Sequence, residues 1–136
     1  MQAAFFAKKI FAVAGASNDP SKFGNIILKA YINKGLNVIP INPRGGQIEG
    51  LDTVTSLSQL IDVVNTKYGI KSDEIGLSVV TPPKATQTIL ENAASLEIRN
   101  IWLQPGSEPE NWKKTATELK LNIIGGGPCV LVSGHL

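Results

Sequence analysis

Short apolar runs that alternate with helical patterns limit the fold of this chain more than any other feature. Five runs have the length and composition of buried strands, at 10–14, 36–41, 75–80, 99–103 and 121–124. Segments with apolar residues at helical spacing follow most of them. This alternation predicts an α/β protein with a mostly parallel sheet and helices on both faces, since parallel strands need long crossovers.

Local signals indicate where the helices begin and end. One helix is expected from about Phe23 to Lys34, and another over 57–68, with Ser56 and Gln59 at capping-box spacing before it. Gly69 then supplies the usual stop.

Two later helices are predicted in the same way. Pro83 is expected to open a helix whose buried face holds Ala85, Ile89, Ala93 and Leu96. Ser107 and Glu110 repeat the capping-box spacing ahead of a helix that runs to about Leu119.

Composition excludes several classes of protein. The 136 residues fit one domain, expected to span 1–136, and 43% hydrophobic residues are enough for one core. A net charge of +2 without a basic stripe argues against nucleic-acid binding. No apolar run approaches the length of a membrane span and the amino terminus has no signal-peptide pattern, so a cytoplasmic protein is expected. With Cys129 as the single cysteine, no intramolecular disulfide is possible.

The carboxyl ends of parallel strands are where such sheets bind ligands, at the point where the strand order reverses. The loops predicted at this ligand-binding edge are therefore 15–24, 42–46, 81–83, 104–107 and 125–129. Each of them is rich in Gly, Pro, Ser, Thr or Asn.

The first of these loops, residues 15–24, is called the Gly15 loop. Gly15 permits a tight turn, Ser17 offers a hydroxyl, and the helix start offers free N–H groups, which together suit a phosphate or diphosphate. Lys22 adds a positive charge. The loop matches neither GxGxxG nor Walker A, and an ordinary strand-to-helix turn explains it equally well.

The second strand is followed by Asn42, Pro43 and Arg44, where NAD-binding domains usually carry an acidic residue. An arginine here favours a ligand with an extra phosphate on its adenosine ribose, as in coenzyme A or NADP. The alternative is a surface turn with a solvated Arg44.

Further along the same edge, Thr81, Pro82 and Pro83 form a stiff segment with few N–H donors. It either packs against a ligand or simply ends a strand and starts a helix. Gln104 is expected near this edge, whereas Trp102 is expected in the core.

With these loops in hand, the chain resembles the small CoA-binding domain family, which is Rossmann-like and related to the amino-terminal domain of the succinyl-CoA synthetase alpha subunit. The matching residues occur in order along nearly the whole chain: Gly15, Ala16, Ser17, Pro20, Lys22 and Gly24; Asn42, Pro43 and Gly50; Pro82 and Pro83; Trp102, Leu103, Gln104 and Gly106.

The resemblance implies that coenzyme A is the cofactor. It places Ser17 and Lys22 at phosphates, residues 42–44 around the adenosine, and Pro82 along the pocket. Two segments depart from the family pattern, the polar link 65–74 and the triple glycine 125–127.

No complete catalytic set is visible, and no metal-binding pattern either. His135 lies one residue from the end, where a frayed tail is expected. Cys129 follows the last strand on the ligand edge, and is interpreted either as a packed thiol or as a nucleophile near the CoA thiol. Three hypotheses remain: a non-catalytic module that binds CoA or acyl-CoA, an NADP-dependent oxidoreductase, and a scaffold that has lost its ligand.

Overall fold

The computed structural model describes residues 2–134 and 136, and within them helices and strands alternate along the chain. The strands are β1 (Ile10–Ala14), β2 (Val38–Ile41), β3 (Gln47–Ile48), β4 (Leu51–Asp52), β5 (Ile75–Val79), β6 (Asn100–Leu103) and β7 (Asn122–Ile124). The helices are α1 (Gln2–Phe6), α2 (Phe23–Asn33), α3 (Leu57–Tyr68), α4 (Pro83–Ser95) and α5 (Trp112–Leu119), with a 3₁₀ turn at Ser72–Glu74. His135 and Met1 lie outside the described residues.

Five strands form one parallel sheet in the order β2-β1-β5-β6-β7. From β1 the chain runs outward to β2, and it then returns to the other side of β1 to build β5, β6 and β7. The strand order therefore reverses between β1 and β5, which is the switch point where such sheets bind ligands. The predicted Rossmann-like α/β fold is confirmed.

An isolated β-bridge occupies the position of the third strand of a Rossmann sheet. Val54 pairs in parallel with Ile41 at the outer edge of β2. The Val54 N–H donates to the Pro40 carbonyl at 3.0 Å, and the Asn42 N–H donates to the Val54 carbonyl at 2.9 Å. This bridge recovers the order 3-2-1-4-5-6 with a third strand reduced to one residue.

An unpredicted hairpin leads to that bridge. Strands β3 and β4 are two residues each and antiparallel, and Glu49 and Gly50 connect them. Both connecting residues have positive φ, 51° and 77°, as a type I′ turn requires. Ile48 is buried and fixes the hairpin against the sheet.

Successive strand residues point to opposite faces, so the sheet has a core on each side. Ile10, Ala12 and Ala14 lie in the core covered by α3, α4 and α5. Phe11 and Val13 lie in the core covered by α1, α2 and the turn that follows β7.

A buried polar pair crosses the second core. The Tyr31 hydroxyl of α2 lies 2.6 Å from the Ser78 hydroxyl of β5. Burial raises the pKa of the Tyr31 hydroxyl further above its ordinary value. The pair links α2 to the strand beside the switch point.

The predicted ends of α3 are confirmed. The Ser56 hydroxyl accepts a hydrogen bond from the Gln59 N–H at 3.1 Å, and Gly69 ends the helix with a φ of 64°. The capping box predicted at 107–110 is wrong, because α5 begins only at Trp112. The carboxylate of Glu108 instead accepts the N–H groups of Gly106 and Gly126, at 2.8 and 3.0 Å.

The buried face predicted for α4 is also partly wrong. Thr86, Leu90 and Ala93 are its buried residues, whereas Ala85 is exposed and Ile89 is partly buried. The helix is rotated so that Ala85 and Ile89 face a cleft beside α3. Among the described residues, no helix has the length and apolar character needed to cross a membrane.

Candidate functional site

A cleft of about 460 Å³ opens at the carboxyl ends of β1 and β2, next to the switch point. This volume is typical of small-molecule sites, and most of the lining is apolar. The walls come from the segments at the carboxyl ends of β1, β2 and β5, from the start of α3, and from one face of α4 that extends to Asn92. The lining residues are Ala14, Gly15, Ile41, Pro43, Thr55, Ser56, Leu57, Thr81, Ala85, Thr88, Ile89 and Asn92.

Two glycines shape the Gly15 loop beside this cleft. Gly15 has a φ of 92°, and a Cβ there would lie 2.8 Å from a methyl group of Val80. Gly24 has an ordinary helical backbone, yet a Cβ there would lie 2.0 Å from the Gly15 carbonyl oxygen. Gly15 therefore makes the turn, and Gly24 lets the start of α2 approach that turn closely. Ala16, between them in the loop, is buried.

The polar side chains of the loop are organised around an Asx turn. The Ser17 hydroxyl accepts the Asp19 N–H at 3.0 Å. The Asp19 carboxylate accepts the hydroxyl and the N–H of Ser21, at 2.7 and 2.9 Å. These hydrogen bonds, the hydroxyl first, lower the pKa of Asp19, so the loop carries one anion at neutral pH. Lys22 is exposed, immediately before α2, and is the single cation of the loop.

The segment after β2 is tied to the Gly15 loop through Asn42. Its side-chain amide donates to the Ala16 carbonyl at 2.8 Å, and its side-chain oxygen accepts the Arg44 N–H at 2.9 Å. Pro43 is exposed and lines the cleft. Arg44, the next residue, is exposed as well.

The segment 81–83 divides between two surfaces. The Thr81 hydroxyl pairs with the Thr86 hydroxyl at 2.8 Å, and Thr81 lines the cleft. Pro82 caps α4 and Pro83 is its first residue, both exposed. Pro83 borders a different hollow, between α4 and α5.

Gln104 lies away from the cleft and holds the segment after β7. It is 4% exposed, its oxygen accepts the Val130 N–H at 2.8 Å, and its amide donates to Cys129 Sγ at 3.2 Å. The buried ring of Trp102 donates to the Pro128 carbonyl at 2.9 Å. Trp102 is therefore a core residue, as predicted, while Cys129 is half-buried at the sheet edge.

The structure thus gathers part of the predicted set around one cleft. Gly15, Pro43 and Thr81 line it directly. The α3 and α4 contributions, Ser56 and Asn92 among them, were not predicted as site residues. The capping signal at Ser56 placed it at a helix start, but no local signal showed that this start faces β2.

A family model matches most of the chain. Residues 9–135 match the family model described as a CoA-binding domain. The chain belongs to this CoA-binding domain family. The match spans both the Gly15 loop and the segment after β7.

Individual relatives match parts or all of this chain. The alpha subunit of the ADP-forming acetate–CoA ligase II of Pyrococcus furiosus is 32% identical over 92 residues, which are 64% of this chain and 17% of that subunit. A conserved hypothetical protein from Pyrococcus furiosus has a solved structure with a TM-score of 0.78 and 31% identity, covering 92% of this chain and 98% of that one. A solved structure of a protein from Thermus thermophilus has a TM-score of 0.79 and 27% identity, covering 98% of this chain and 93% of that one.

The match to curated relatives is short relative to their own length. It covers 17% of the ligase subunit and 44% of protein YneT of Bacillus subtilis, which is 35% identical over 60 residues. The matched region therefore spans less than half the length of each of these two relatives.

Proposed function

We propose that this chain binds coenzyme A or an acyl-CoA at the carboxyl edge of its sheet, as a binding or regulatory module without its own catalysis. The observation that carries the proposal is the largely apolar cleft beside the Gly15 turn, in a chain of the CoA-binding domain family. Residues 1–136 act in this proposal as one CoA-binding domain.

Each part of the ligand has a counterpart along this edge. The adenosine enters the cleft between Ile41, Pro43 and Ile89. The diphosphate lies at the Gly15 loop, where α2 begins and Lys22 is close. Arg44 receives the ribose 3′-phosphate, because a guanidinium is suited to phosphate oxygens.

The pantetheine arm then leaves the cleft along Pro82 and Pro83 towards the glycine-rich segment 125–127. Gln104 supports the far end of this path, because it holds Cys129 and Val130 in place. The polar side chains at this edge bind neighbouring loops, which supports a role in ligand binding. Asn42 and Gln104 are engaged in holding loops together, which prepares a surface for a ligand.

Coenzyme A is expected to raise the melting temperature strongly, and NADP at equal concentration much less. A ligand that binds only the folded state stabilises that state by about 2.7 kcal/mol when the ligand concentration is one hundred times Kd. NADP shares the diphosphate and a ribose phosphate, but it also needs a flat slot for its nicotinamide.

Dephospho-CoA should bind more weakly than CoA, because it lacks the 3′-phosphate. Arg44→Ala should narrow the difference in affinity between these two ligands. Thermal-shift assays and titration calorimetry at fixed salt measure both effects.

The outcomes separate the alternatives. A larger shift with NADP favours an oxidoreductase. No shift with either nucleotide favours a scaffold, and native mass spectrometry of the purified protein checks for a ligand that was already bound. Equal binding of CoA and dephospho-CoA removes Arg44 from the site.

Lys22→Ala is expected to weaken CoA binding about tenfold. Lys22 is the single cation of the Gly15 loop, and its removal leaves the ionised Asp19 carboxylate unbalanced beside the diphosphate. Lys29→Ala is the control, because Lys29 is also exposed and its replacement removes the same charge further along α2. Calorimetric titration gives both affinities, and equal losses in the two variants would reduce the role of Lys22 to net charge.

A further inference from the structure

Asn25 is a buried residue whose side-chain amide links the Gly15 loop to the β3–β4 hairpin. It lies in the first turn of α2 and is 1% exposed. Its side-chain nitrogen donates to the Ser17 carbonyl at 2.9 Å and to the Glu49 carboxylate at 2.9 Å. Both hydrogens of the amide are therefore used, one on the Gly15 loop and one on the β3–β4 hairpin.

Asn25 and Asn42 together hold two successive carbonyls of the Gly15 loop. Asn42 binds the Ala16 carbonyl and Asn25 binds the Ser17 carbonyl. The described peptide bonds are trans, so each N–H points opposite to the carbonyl of its own peptide plane. The N–H groups of Ser17 and Asn18 consequently point away from the two asparagines. Within residues 2–134 and 136 neither N–H donates to a protein acceptor.

Glu49 sits in a backbone conformation that an L-residue adopts at a cost. Its φ is 51°, in the turn between β3 and β4. Its carboxylate nevertheless reaches back to Asn25. A second tie joins the same two segments, since the Asn18 side chain donates to the Gln47 carbonyl at 3.0 Å. The hairpin is thus attached to the loop that carries the two free N–H groups.

We infer that Asn25 is a positioning residue for the diphosphate of coenzyme A, and that Glu49 holds Asn25 in place. This inference rests on the proposed function. Asn25 does not contact the ligand. It holds the Ser17 carbonyl, so that the Asn18 N–H of the same peptide plane is directed at a diphosphate oxygen before the ligand arrives. A loop that is already ordered binds more tightly, because less conformational freedom is lost on binding.

Asn25→Ala is expected to weaken CoA binding about tenfold, a change equivalent to 1.4 kcal/mol. The matched control is Asn100→Ala. Asn100 is also a buried asparagine, bonded to the Asp73 carbonyl at 3.4 Å, but it lies at the amino end of β6, on the opposite edge of the sheet. Both variants should lower the melting temperature, and only Asn25→Ala should change the CoA affinity measured by calorimetry.

Glu49 supplies a second test that does not disturb the core, because this residue is exposed. Glu49→Gln and Glu49→Ala both remove a negative charge near the diphosphate, which by itself favours CoA. Only the glutamine keeps an oxygen that can accept from Asn25. We expect Glu49→Gln to bind CoA at least as tightly as the original chain, and Glu49→Ala to bind roughly fivefold more weakly than Glu49→Gln.

The results distinguish this inference from the proposed function. If the original chain does not bind CoA, the proposed function fails. If it binds CoA, and Asn25→Ala binds as tightly as Asn100→Ala, the inference alone is overturned. Should Asn25→Ala not fold, equal affinities of Glu49→Gln and Glu49→Ala overturn it in the same way.

Discussion

Gly24→Ala is expected to destabilise the protein by roughly 2 kcal/mol or more, and to abolish measurable CoA binding. Alanine is normally the better helix residue by about 1 kcal/mol, so the propensity of α2 alone predicts the opposite sign. The added Cβ would lie 2.0 Å from the Gly15 carbonyl oxygen and 3.3 Å from the Ala16 Cα. Both neighbours are backbone atoms, which cannot rotate aside as a side chain can.

The contact is relieved only if α2 moves away from β1 or the Gly15 turn is displaced. Either movement separates the free N–H groups of the loop from the cleft. Urea unfolding measures the stability change, and calorimetry measures the loss of CoA affinity.

Gly125→Ala is the control for the stability change of Gly24→Ala. Gly125 also has a backbone that alanine can adopt, and its Cβ would meet the ring of Trp112 at 3.3 Å. A side chain can shift by a few tenths of an ångström, so the expected cost is small. A Gly24→Ala variant as stable as Gly125→Ala would show that α2 is not held against the Gly15 turn.

Ala85→Trp is expected to weaken CoA binding roughly a hundredfold or more, equivalent to about 2.7 kcal/mol. Ala85 is exposed in the first turn of α4 and lines the cleft. A tryptophan there projects an indole ring into the space of about 460 Å³ that the proposal assigns to the adenosine. Stability should change by only about 0.5 kcal/mol, because no buried contact of Ala85 is replaced.

Gln87→Trp is the matched control on the same helix. Gln87 lies two residues further along α4 and borders the hollow between α4 and α5. The same side chain is thus introduced on the other flank of the helix, where it leaves the cleft open. Calorimetric titration of both variants with CoA compares them directly. Undiminished binding by Ala85→Trp, or equal losses in both, would remove this cleft from the site.

Part of this fold follows from local patterns in the sequence. The alternation of apolar runs and helical stripes predicted the α/β class, because strand and helix periods are properties of neighbouring residues. The stop at Gly69 and the cap at Ser56 followed for the same reason. The ligand-edge loops were predicted because all strands of a parallel sheet end at one edge. That rule led to Gly15, Pro43 and Thr81 without any knowledge of distances.

Other features depend on residues that are far apart in the chain. The hairpin at 47–52 leads to the Val54 bridge, which occupies the place of a third strand beside β2. Ile48 is buried against the sheet, and the hairpin residues alone do not show this long-range contact. Likewise, the apolar residues of α4 predicted a buried helix face, but the position of α3 decided that Ala85 and Ile89 border the cleft. Helical spacing predicts how wide the apolar face of a helix is. It does not predict which neighbouring elements that face will contact.

The roles of the asparagines and of Gln104 are the clearest case. Their types and positions made Asn42 and Gln104 candidates for ligand contact, whereas Asn25 lies within a predicted helix and no local pattern marks it. The structure joins Asn42 to Ala16, Asn25 to Glu49, and Gln104 to Val130, pairs separated by 24 to 26 residues. A side-chain amide can donate to or accept from a ligand, water or a distant protein group equally well. The sequence therefore determined which polar groups reach the ligand edge, and only the tertiary structure, by setting which partners lie within 3 Å, decided which of them hold the loops.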